Sequence, residues 1–377
     1  MSLLNAAKRS RAPAAGLAAV GILWGGFAAS WPDIKIAVGA SDAELGFALL
    51  FSAAGGIVSM AMAPRIGRLL GRFSLPVLCA AVAGAILLPL TAADVRSLAM
   101  ALFAVGLAVA ALDVLTNVEI STREARYKTH LMGFNHAMFS FAFAGAAYGT
   151  ALARKAGYGP PEILPILALF SLGLALLTYV PKQPATEEAD EAGQRPPWLA
   201  VTLTGVILFA AFIGENATEA WSALHIERTL GAPVGEGGLG PAVLGLVMGV
   251  ARLFGQVIAD RVGHGRLIFG SAMLGMVGTL TIAAAGTPDI VLLGVAITAL
   301  GMAVVVPSAM SILGARVTEQ ARALALSRAW MIGIVGFFIG PALMGGISEL
   351  FGLRVSFVVV AGIIALILPA ILRLSRT

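Results

Sequence analysis

The chain has 377 residues, of which 59% are hydrophobic and 12% charged, with a mean hydropathy of +0.92 and a formal net charge of +5. A soluble domain carries about 25% charged residues, so a soluble enzyme or a nucleic-acid binder is excluded, and the chain reads as an all-α, multi-pass membrane protein. Its one cysteine, Cys79, excludes an internal disulfide and argues against a metal cluster.

A hydrocarbon core of ~30 Å takes about 20 helical residues. Twelve segments meet that need, near 13–36, 43–63, 73–93, 96–121, 130–153, 162–181, 198–224, 240–260, 266–286, 288–313, 321–347 and 353–373. Lys8, Arg9 and Arg11 precede the first, which runs on to Trp31 without a convincing cleavage site, so it reads as a spanning helix and not as a signal peptide. The 45 glycines fit helices that pack closely in lipid. Gly25–Gly26 and the Gly336/Gly340 pair point to tight crossings, and Pro307 and Gly340–Pro341 to kinks.

One connection is a true linker, the proline-rich, acidic stretch at 182–197. It leaves a six-helix set at 1–181 and another at 198–377. With twelve crossings both termini share a side. Seventeen Lys and Arg fall on that side and six on the other, while Arg252 and Arg328 lie within spans. The bias toward positive charge inside puts the termini and linker in the cytoplasm.

The two sets resemble each other. Ala63–Arg72 (APRIGRLLGR) follows the second segment and Ala259–Arg266 (ADRVGHGR) the eighth, both read as short basic loops. Gln256–Arg266 resembles the signature loop of the major facilitator superfamily, with Asp260, Arg261 and Gly263 matching. The first copy keeps Arg65, Gly67 and Arg68 but has Pro64 at the acidic position. The resemblance implies two pseudo-symmetric six-helix bundles that rock about a midplane site. It also implies a cytoplasmic latch resting on Asp260, which caps the eleventh segment or pairs with Arg322 or Arg328.

Asp113 lies near the middle of the fourth segment, where a carboxylate costs roughly 2.5–3.5 kcal/mol. It therefore turns inward, either to a cavity as a proton carrier or to Arg252 as a structural ion pair. Asn117 lies one turn on, on the same face. Asn135 and His136 open the fifth segment at a similar depth. In the seventh, Glu215 and Glu219 share a face, with Asn216 beside them. Two such carboxylates repel unless one is protonated or a cation intervenes. Trp31 and Trp221 either cover a solute ring or anchor at the interface. Glu119 reads as a partner of Arg123 or Arg126.

Asp113 and Asn117, with Asn135–His136, further resemble the fucose-permease-like branch, which uses an acidic residue and asparagines for proton coupling and sugar contact. Ser30–Trp31 and the Glu215/Trp221 spacing resemble related bacterial inner-membrane members. The resemblance implies a monomeric inner-membrane secondary transporter that moves a small polar solute with a proton. Na⁺ at Glu215, Asn216 or Asp113 is the alternative ion. A proton-driven exporter of drugs or metabolites, and a non-transporting sensor, are the alternative functions. No phosphate-binding GxxxxGK[ST], HExxH or GxSxG pattern occurs, so neither a cofactor, a metal nor an enzyme activity is expected.

Overall fold

The computed structural model describes residues 3–180 and 197–376, apart from the side chains of Leu3, Gln256, Val257, Asp260, Glu319, Gln320, Ala323 and Arg376. The helices in chain order are α1 (Leu3–Ala37), α2 (Asp42–Leu70), α3 (Ser74–Ala85), α4 (Val95–Tyr127), α5 (Met132–Lys155), α6 (Pro160–Ala175) and α7 (Trp198–Leu224). They continue with α8 (Leu239–Val262), α9 (His264–Ala284), α10 (Pro288–Met302), α11 (Val305–Ala315), α12 (Glu319–Phe351), α13 (Leu353–Ala365) and α14 (Ile367–Arg376). Where helices begin, side chains take up free N–H groups. Ser41 caps α2 and Asp94 caps α4, each in a reciprocal capping box.

Prolines explain the breaks. Proline has no N–H to donate and clashes with the carbonyl four residues back. Pro89, Pro307 and Pro369 point back to Ala85, Ala303 and Ala365; α3 and α13 end at those residues and α10 one residue before. The pairs α10–α11 and α13–α14 are thus single spans with a break, which gives twelve spans among the described residues. Pro341, expected to kink its helix, lies inside an unbroken α12. Eight helical stretches are long and apolar enough to cross a membrane, one of them (Asp42–Thr91) holding two spans. The helices α6 and α8 provide shorter apolar stretches. The remaining helix, α5, is diluted by Asn135, His136, Arg154 and Lys155.

The packing repeats in the two sets of six. In the first, α1 lies on α5, α2 on α4 and α3 on α6. In the second, α7 lies on α12, α8 on α10 and α9 on α13, the same pairing counted by spans. Glycines bring backbones together at these crossings. A Cβ on Gly55 would sit 2.0 Å from the Phe103 carbonyl oxygen, and one on Gly106 1.9 Å from that of Ser52. Gly25 meets Phe143 of α5 in the same way, and Gly336 meets Phe209 of α7, so both expected tight crossings are there.

The two basic stretches read as loops are mostly helix. Pro64, Arg65, Gly67 and Arg68 lie in the last turns of α2, and Arg261 in the last turn of α8. The chain turns at Gly71 after α2 and at Gly263 after α8, with φ +52° and +86°, conformations that glycine adopts without strain. Apolar pattern does not separate the end of a spanning helix from its water-exposed extension.

Replacing Gly106 by valine should separate α2 from α4 and destabilise the protein by about 3 kcal/mol or more. Gly149→Ala, where a Cβ meets nothing within 4 Å, should stay within about 1 kcal/mol. Thermal unfolding of the purified variants checks both, and equal melting would contradict the packing described.

Candidate functional site

The helices of the first six spans meet those of the last six along two seams, α2 against α12 and α5 against α8. At mid-depth a run of polar contacts crosses the second seam. Asn117 donates to the Asp113 backbone carbonyl (2.9 Å), and its Oδ1 faces His136 Nε2 at 3.3 Å. One turn along α5, Ser140 Oγ donates to the His136 carbonyl. Arg252 on α8 donates from Nη1 to Ser140 Oγ (2.7 Å) and from Nη2 to Glu215 Oε1 on α7 (2.9 Å). Glu215, Glu219, Ser140 and Arg252 line one small space with the rings of Phe139 and Phe143. Its volume of about 10 Å³ has room for a single water.

Asp113, Asn117, His136, Glu215, Glu219 and Arg252 are half-buried, whereas Ser140 and the helical neighbours Leu112, Thr116, Asn135, Ala217 and Thr218 are buried. The chain thus brings Asp113, Asn117, His136, Glu215, Glu219 and Arg252 together, and adds Ser140, which no sequence pattern had marked. The partner of Arg252 is Glu215, not Asp113. That follows from placement, since α8 packs on α5 and α7 while α4 lies on α2.

Other expected site residues lie elsewhere. Asn135 is fully buried and donates to Ser10 Oγ of α1 and to the Leu131 carbonyl, away from Asn117. Asn216 turns toward Gly340 of α12, and its buried Oδ1 has no hydrogen bond. Trp31 is buried against Phe27, and Trp221 is fully buried, so neither sits at an interface. Arg328 lies over the Trp198 ring at 4.5 Å. Arg322 donates to the Gly314 carbonyl. The side chain of Asp260 lies outside the described residues, and so do linker residues 182–196. Glu119 is paired with Arg123, one turn away.

At the end of the bundle far from the termini, charge holds the two sets together. Arg154, at the end of α5, is 2% exposed and all five of its N–H groups are used. They reach both oxygens of Asp33 (2.6 Å each), both of Glu227 (2.6 and 2.9 Å) and the Ala29 carbonyl. Glu227 also accepts from the N–H groups of Gly235 and Gly237. The next residue, Arg228, reaches Asp42 at the start of α2, which also holds Lys35 and Ser348. Glu349 accepts from the Asp42 backbone N–H. At the opposite end Arg9 lies on Tyr127 and Arg328 on Trp198, each contact within one set.

The sequence counted Arg154 and Arg228 only as topology charges. The available signal was a pair of adjacent opposite charges, Glu227–Arg228, just past α7, with Asp33 and Asp42 flanking the first turn.

Comparison with known proteins places this geometry. The sequence pattern of the Major Facilitator Superfamily matches residues 204–377. An uncharacterized MFS-type transporter of Yersinia pestis is 28% identical over 358 residues, covering 92% of this chain and 89% of the relative. The chain resembles the major facilitator superfamily over its length, and its C-terminal part matches the family pattern. It is a membrane transporter, and not an enzyme. Two solved structures share the fold. The nucleoside transporter NupG aligns over 100% of both chains with a TM-score of 0.69 and 17% identity. A D-xylose-proton symporter aligns over 96% of each with a TM-score of 0.71 and 16% identity.

Removing the guanidinium in Arg154→Ala leaves Asp33 and Glu227 without their cation, which costs about 3–5 kcal/mol in a buried site. The transporter should then open at its far end. A cysteine placed at the buried Ala147, where α1, α5 and α8 meet, should react at least about tenfold faster with an impermeant maleimide in Arg154→Ala. Unchanged labelling would mean that these ion pairs do not hold the seam.

Proposed function

We propose that this transporter moves a small polar solute, a sugar or related metabolite, coupled to a proton and by alternating access. The observation that carries this is the polar run from Asp113 through Asn117, His136, Ser140 and Arg252 to Glu215, which joins both sets of helices at mid-depth. Amides and an imidazole beside carboxylates can both donate to and accept from hydroxyl groups. Asp113, in an otherwise apolar span, is the group through which a proton enters the cycle. The positive-inside bias argues for termini in the cytoplasm of an inner membrane, and on that orientation the far-end ion pairs close the outer side. A monomer suffices, because the run is complete within one chain. That one structural neighbour carries nucleosides and another D-xylose with a proton agrees with a hydroxylated solute and is an analogy of fold.

The test is proton movement into liposomes holding the purified protein, challenged with sugars, nucleosides, organic acids and cationic dyes, in Na⁺ and Na⁺-free buffers. Solute-driven proton flux should appear with a hydroxylated neutral solute and fall by about tenfold or more in Asp113→Asn, since an amide cannot carry the proton. Flux that survives that substitution would remove Asp113 from the coupling. Transport of dyes alone would favour an exporter.

A further inference from the structure

Glu219 stands out in the mid-depth seam. Among the described residues it has no hydrogen bond and no ion pair, although it lies one turn from Glu215 and lines the same small space. The nearby guanidinium is already committed, with Nη2 on Glu215 and Nη1 on Ser140. The rest of that lining is apolar, including Phe139, Phe143, Leu244 and Met248. Two carboxyl groups face one cation there. The charges do not balance unless a further positive charge enters, and the space admits nothing larger than a water molecule.

Other charges lie too far along the helices to help. From α5 the nearest titratable group is His136, which is turned to Asn117. The helices α1, α9, α10, α12, α13 and α14, which also pack on α7, carry their charges toward their ends: Lys8, Arg9, Arg11, Asp33 and Lys35 on α1, His264 and Arg266 on α9, Asp289 on α10, Arg322, Arg328 and Glu349 on α12, Arg354 on α13 and Arg373 on α14. The helix α11 has no charged residue.

We propose that Glu219 is a second proton-loading carboxyl of the transport cycle, and that its charge decides which set of helices Arg252 holds. This rests on the proton-coupled reading above. With the proton on Glu219, Arg252 binds Glu215 and has Nη1 free for Ser140, and so ties α8 to α5. When the proton leaves to water, the Glu219 carboxylate is a stronger acceptor than a hydroxyl. Arg252 then turns Nη1 from Ser140 to Glu219, becomes wholly a partner of α7, and the mid-depth tie between the two sets is lost. Only a proton is exchanged, from carboxylic acid to water. Asp113 and Glu219 thus load on opposite sides of the seam.

Infrared difference spectra of the protein in liposomes read protonated carboxyl groups directly, without any solute. At neutral pH the acid C=O band should lose a component in Glu219→Gln, keep it in Asp113→Asn, and regain it at a shifted position in Glu219→Asp. Solute-driven proton flux should fall about tenfold in Glu219→Gln and recover in part in Glu219→Asp. In Ser140→Ala the band should remain. A band untouched by Glu219→Gln overturns the proposal, as does a band that follows Na⁺ and not pH. Absence of solute-driven proton movement in the wild type would count against the transport reading instead, so the two failures appear in different channels.

Discussion

The structure depends most on how it satisfies one buried guanidinium. Taking Arg154 out of water costs several kcal/mol, and the chain recovers that only because two carboxylates and a carbonyl meet all five of its donors. Asp33 and Ala29 come from α1 and Glu227 from just beyond α7. Three parts of the chain are therefore held in one place by a requirement that no apolar contact could impose. The arrangement is strong while dry and weak once water enters, because water can replace any one partner. Such an interaction suits a surface that must close completely and still come apart.

The glycines act in the opposite sense. Along α2–α4, α1–α5 and α7–α12 they let backbones touch within each set, and lipid gives these crossings little alternative partner. Across the seam between sets, Gly46 and Gly345 do the same where α2 meets α12, and Gly245 where α8 meets α5, while Gly249 there takes the Phe141 ring. Smooth glycine faces make contacts that slide or part without unlocking side chains. The specific hold between sets is thus left to the ionic groups at the far end and to Arg252 at mid-depth.

The fold was legible because twelve apolar runs and a charge bias are properties of the sequence itself. Helix ends were less so. The apolar pattern stops at the membrane while α2 and α4 continue into polar turns, and so Arg65 and Arg68 sit on a helix instead of a loop. Asp113, Asn117 and Glu215 could be found because a polar group in lipid is costly wherever it stands. Their partners could not. Whether Arg252 meets Asp113 or Glu215 depends on which helices neighbour each other, and single-chain periodicity says nothing of neighbours. Trp31 and Trp221 failed for a related reason: tryptophan is equally at home at an interface or in a core, and here the core takes both.

The end of α7 widens at His225–Thr229, where the Leu230 N–H reaches the His225 carbonyl five residues back. A turn of this kind holds one residue more than an α-turn. It lets consecutive side chains, Glu227 and Arg228, serve partners on different helices. The inner carboxylates and the outer charges therefore ride on one rod whose angular phase is offset by a single residue. Any rotation of α7 that moves Glu215 moves both outer charges with it, so the two ends of the helix are geared together and need no relay of side chains between them.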